Sequence, residues 1–159
     1  MGDHDPAAGR AYLTTYLRDH RAGAAAGVSL VRHLAEANSD TEWGGPLAEL
    51  HREIAADREA LDDILAHLDV RANPVKQALA PVVTRLRRIK LNRHLLRYSP
   101  LSRVVDLELL AAGVDTKRNL WRSLAAIDGS DEHIDPARVQ WLDERAARQH
   151  EQILALHRS

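Results

Sequence analysis

Five side chains able to act as acids, bases or metal ligands fall on or beside otherwise apolar helical stripes: His20, Asp57, Glu108, Asp115 and His150. Imidazole and carboxylate are ligand types that iron, manganese or zinc accept, so several of them at one point would make a metal centre. In twos, the same residues make buried or half-buried ion pairs. Which of these arises depends on the helices that carry them. Other chemistries lack carriers. There is no cysteine, hence no thiol nucleophile, thiolate site or disulfide. No Gly-x-Gly-x-x-Gly, P-loop, His-Glu-x-x-His or Gly-x-Ser-x-Gly is present.

The prolines mark where those helices begin. Asp5-Pro6, Gly45-Pro46, Asn73-Pro74, Ser99-Pro100 and Asp135-Pro136 each place proline after a residue that suits a helix N-cap. Proline fits the first helical position because its missing N–H would be unpaired there anyway. With stops at Asn38-Ser39-Asp40, Asn73, Tyr98-Ser99 and Asp128-Gly129, the expected helices are 6–38, 46–69, 74–97, 100–127 and 136–157. Apolar residues recur by threes and fours within them. Leu13, Leu17, His20, Ala24, Gly27, Val31 and Leu34 form one stripe, and Leu47, Leu50, Ile54, Asp57, Leu61, Ile64 and Leu68 another. The third runs Leu107, Leu110, Val114, Trp121 and Leu124; the fourth Val139, Leu142, Ala146, Ile153 and Leu156. No window alternates as a strand would. The chain reads as a single all-α domain over residues 1–159. Gly23 and Gly27, amid alanines, imply that a neighbouring backbone approaches the first helix closely. Pro81 should kink the 74–97 helix.

Connection lengths suggest a topology. The first two helices and the last two are joined by short links, while the 74–97 helix lies within the long connection between the pairs. Two antiparallel hairpins joined by a helical crossover resemble the ferritin-like four-helix-bundle superfamily, and the likeness covers residues 6–157 as architecture. That resemblance implies a di-metal site built on Glu-x-x-His pairs. None is present: Glu49, Glu53, Glu108, Glu144 and Glu151 are followed three residues on by Arg52, Ala56, Ala111, Ala147 and Leu154. The one reversed match, His33-x-x-Glu36, lies near a helix end. Folding the first hairpin about residue 42 separates His20 from Asp57 by about 10 Å along the axis, too far to share one ion. Folding the second about residue 131–132 brings Asp115 level with His150 or Arg148, as a buried or half-buried pair.

Charge is neutral overall, with 22 Lys+Arg against 23 Asp+Glu, but unevenly spread. Residues 71–103 carry no acid and include Arg85, Arg87, Arg88, Lys90, Arg93 and Arg97. Residues 36–69 are strongly acidic. The basic crossover would pair with the acidic face of its own bundle or of another subunit. Its alternative is an external polyanion, nucleic acid or an anionic membrane surface. No stretch is long and apolar enough for a transmembrane segment. The acidic start, without an apolar core, fits a cytoplasmic protein. The sequence expectation is therefore a non-enzymatic, interaction or scaffold bundle that forms a homo-oligomer, with no cofactor. Its alternatives are an oxidoreductase using Fe, Mn or Zn at a divergent His/carboxylate site, and an adaptor acting through the basic crossover.

Overall fold

The computed structural model describes residues 6–68, 70, 99–127 and 134–158. They form four helices: α1 (Pro6–Ala37), α2 (Gly44–His67), α3 (Pro100–Ala126) and α4 (Pro136–Arg158). The described residues contain no strand, and no helix among them is long and apolar enough to cross a membrane. The expected 74–97 helix and its basic residues, Arg85 to Arg97, lie outside the described residues.

Two starts follow the proline rule closely. Ser99 Oγ accepts the Ser102 backbone N–H at 3.2 Å, with Pro100 next to it in α3. Asp135 Oδ1 accepts the Ala137 N–H at 2.9 Å ahead of α4. The start of α2 differs, coming at Gly44 rather than residue 46. The turn before it is wound tightly: Asn38 C=O accepts the Thr41 hydroxyl at 2.7 Å and the Thr41 N–H at 3.0 Å, and Gly44 N–H donates to Thr41 C=O at 3.1 Å. Trp43 already has helical dihedrals and makes no side-chain cap. Pro46 is thus the third helical residue, where an N–H still has no partner within the helix. Gly44 is required by space. A Cβ there would lie 2.7 Å from the Ser39 carbonyl oxygen and 2.8 Å from that of Asn38. At the other side of the turn, buried Asn38 donates its side-chain amide to Leu34 C=O at 2.7 Å and so satisfies a last-turn carbonyl of α1.

The stripes bury as their spacing requires. Leu47, Leu50, Ile54 and Leu61 of α2 meet Leu107, Leu110, Val114 and Trp121 of α3, with Val139, Leu142, Ala146 and Ile153 of α4, in one core. Backbones come close in three pairs: α1 with α2, α3 with α4, and α1 with α3. The helix α1 is the exception in its packing. It buries Leu17 and then nothing fully until Leu30, although Val31 and Leu34 are again buried. Its middle is the Gly/Ala stretch, and this gap in burial positions the site described next.

Candidate functional site

Glycine and alanine leave no side chain to fill the space between α1 and α3, and α2 closes the space from behind. The result is a cavity of about 430 Å³ that opens to solvent. Gly23 and Gly27 face it from α1, Gly113 from α3, and none of the three would place a Cβ within 4 Å of another group. This corrects the expectation of close backbone approach at Gly23 and Gly27: these glycines border open space. The walls are largely apolar, with Leu30 on α1, Ile54 and Leu61 on α2, and Leu110, Leu120 and Trp121 on α3. One end is clamped where Tyr16 donates its hydroxyl to Ser123 Oγ at 3.2 Å, joining α1 to α3.

Polar groups enter the cavity at Asp57 and Lys117. Asp57 is 2 % exposed, and its carboxylate is surrounded by donors. Oδ1 accepts both Nε, at 2.8 Å, and Nη2 of Arg145; Oδ2 accepts the Lys117 ammonium and, at 3.0 Å, the Gln149 amide. Four donors occupy a carboxylate's roughly four lone-pair sites. Asp57 is therefore saturated, with no lone pair left to act as a general base or to ligate a metal. Gln149 is fully buried, donates also to Glu53 at 3.1 Å, and accepts from Lys117. Arg145 lies over the Trp141 ring at 4.2 Å, which shields the network's outer side. The Lys117 ammonium thus uses two of its three N–H donors on Gln149 and Asp57. Burial holds its pKa below the ordinary lysine value, against the opposing pull of the Asp57 carboxylate.

The five sequence candidates separate. Asp57 and His20 both line the cavity. His20 is half-buried with its ring edge-on to Tyr16, centroids 4.4 Å apart, and burial lowers its pKa against the pull of Asp19. Asp115 does meet His150, at 3.5 Å, but its side chain is 56 % exposed. The expectation of a buried or half-buried pair is corrected on the aspartate side: Asp115 flanks the buried Val114 and turns outward, where Arg118 also reaches it. Glu108 is exposed and meets His157 at 3.3 Å. Among the described residues, no three His, Asp or Glu side chains gather as a set that could hold a metal ion.

Sequence reasoning missed Lys117, Arg145 and Gln149. A signal existed for two of them. The α3 stripe runs Leu110, Val114, then skips to Trp121, and the α4 stripe runs Leu142, Ala146, then skips to Ile153. The skipped turns fall at Lys117 and Gln149, which complete the four-and-three spacing. A polar residue at such a position on three helices at once marks a buried network.

No protein-family model matches the chain, and no curated protein and no solved structure is significantly similar to it.

Proposed function

We propose that the chain is a ferritin-like bundle that works by binding rather than by chemistry, and that it takes a small, largely apolar molecule into the cavity between α1, α2 and α3. The close pairs α1–α2 and α3–α4 on either side of a long connection support an arrangement of two antiparallel hairpins. One observation carries the binding reading: the glycines of α1 and α3 leave a cavity of about 430 Å³ beside a well-filled core. Cavities of roughly 300–1,000 Å³, mostly apolar with a few polar groups, are the usual form of small-molecule sites. Cores elsewhere are close-packed, so a void of this size costs stability unless something fills it. The saturation of Asp57 favours binding over acid–base catalysis at this place.

The test uses N-phenyl-1-naphthylamine, a neutral dye that brightens in apolar surroundings. It should bind the full chain, and Gly27→Leu, which places a side chain in the cavity, should abolish binding while leaving the helical circular dichroism unchanged. Absence of dye binding to the wild-type chain would refute the proposal. Self-association is a second reading, favoured by Leu101 and Val105, which lie exposed one turn apart at the start of α3. Under it, Leu101→Glu should convert an oligomer to monomer in sedimentation.

A further inference from the structure

The outer face of the α3–α4 pair carries a repeated arrangement that lies apart from the cavity. His150 Nε2 is 3.5 Å from Asp115 Oδ2, and His157 Nε2 is 3.3 Å from Glu108 Oε1. Each pair joins α4 to α3, and the two pairs stand seven residues apart on both helices. Seven residues are two helical turns, about 10 Å, so both pairs sit on the same side. None of the four side chains is buried. The separations exceed the roughly 2.7–2.9 Å of a charge-assisted N–H···O bond. They suit another arrangement: two ligand atoms each about 2.0–2.1 Å from one tetrahedral ion lie about 3.3 Å apart. Each pair thus offers half of a tetrahedral site, an imidazole nitrogen and a carboxylate oxygen. The other oxygen of Asp115, Oδ1, faces Arg118 at 3.8 Å, which helps to orient the carboxylate. Among the described residues no third His, Asp or Glu joins either pair. A closed site therefore needs ligands from elsewhere. The surface around the pairs is apolar. Leu154 is exposed between them, four residues after His150 and three before His157, and Val105 and Leu101 continue the face one and two turns ahead of Glu108.

We propose that a second copy of the chain docks on this face, and that two divalent cations of the zinc type close the interface, each held by one His–carboxylate pair from either copy. The inference deepens the self-association reading above and is independent of the cavity. Because the pairs have the same spacing on both helices, a two-fold axis running along or across the helices sets pair against pair. Each ion then gains two imidazoles and two carboxylates. Mixed nitrogen and oxygen donors in fourfold coordination suit zinc, whereas magnesium demands six ligands and prefers oxygen.

Sedimentation of the full chain in EDTA, in zinc chloride and in magnesium chloride tests this, with zinc stoichiometry measured by titration calorimetry. Zinc should lower the dimer dissociation constant at least about tenfold relative to EDTA, with one zinc bound per chain, and magnesium should leave it unchanged. His150→Gln combined with His157→Gln should remove the zinc response and keep the helical circular dichroism. Glu108→Gln combined with Asp115→Asn should do the same, and decides the matter if the first variant does not fold. Equal dimerisation in EDTA and in zinc, broken by Leu101→Glu, would refute the cations and leave self-association standing. No dimer in any condition would refute both. Zinc binding to a chain that stays monomeric, an equal response to magnesium, or a zinc response that survives both double variants would each overturn the proposal.

Discussion

The two sides of this bundle solve the same packing problem in opposite ways. Where α2 faces α3 and α4, polar side chains fill the interior, and each satisfies the next: Asp57, Lys117, Arg145 and Gln149 leave the carboxylate with no spare lone pair. Where α1 faces α3, glycine and alanine leave the interior empty. Charge in a core is thus a structural element on one side, while the room for function on the other comes from side chains that are missing. A search for reactive residues finds the first region and overlooks the second.

The largest expected effect breaks the filled side. Asp57→Ala removes the only carboxylate among the described residues in direct contact with Lys117 and Arg145, and leaves two largely buried cations without it. The expected loss is about 3–5 kcal/mol, measured by urea unfolding. Removing the anion is the costly step. Replacing the group together by apolar residues of similar volume would cost far less, because the desolvation of all its charges would vanish with it.

Glycines sharpen the comparison. Gly44→Ala should destabilise by about 1–3 kcal/mol, because the new Cβ would press on two backbone carbonyl oxygens of the preceding turn that have little freedom to move. Gly23→Ala and Gly27→Ala should do the reverse. Their Cβ atoms enter open space, so only the helical preference for alanine counts, and each should stabilise by about 0.5–1 kcal/mol. A loss of stability in the latter two would mean that α1 packs tightly there and that the cavity does not exist in solution.

The sequence was most readable at the helix ends. Pro100 and Pro136 open their helices as the N-cap rule requires, because a cap is settled by three or four adjacent residues. The α2 start shifted to Gly44 because the deciding contact is with Asn38 and Ser39 across the turn, and no local rule contains that contact. Asp57 was visible as a polar break in an apolar stripe. Its partners were hidden, since Lys117, Arg145 and Gln149 come from two other helices and a partner's charge is legible only after the helices are rotated into place. The glycines illustrate the deepest ambiguity. Small residues permit either a close backbone or a void, and the same sequence serves both.

A smaller effect is expected at the outward-facing pair. Asp115→Ala should change stability by about 0–1 kcal/mol, since His150 meets a carboxylate more than half exposed and water replaces what is lost. A cost near that of Asp57→Ala would erase the distinction between the filled interior and the surface, and would place Asp115 in the core.

The smallest effect is a pH dependence that originates on the cavity wall. His20 has a folded-state pKa below its ordinary value of 6.5, because burial beside Tyr16 disfavours the imidazolium more than neighbouring Asp19 favours it. The unfolded chain therefore binds more protons at this residue, and the native state is relatively favoured above the unfolded value. That stability is lost as pH falls below 6.5 and through the folded pKa. Urea midpoints measured from pH 7.5 down to 5 should decline more for the wild-type chain than for His20→Gln, which carries no ionisable group at this position. Occupancy of the cavity should deepen the effect, since an apolar ligand beside the ring removes more water and lowers the folded pKa further. Parallel pH profiles for the two chains, with and without the neutral N-phenyl-1-naphthylamine, would show that His20 titrates as though in solvent and does not belong to the cavity wall.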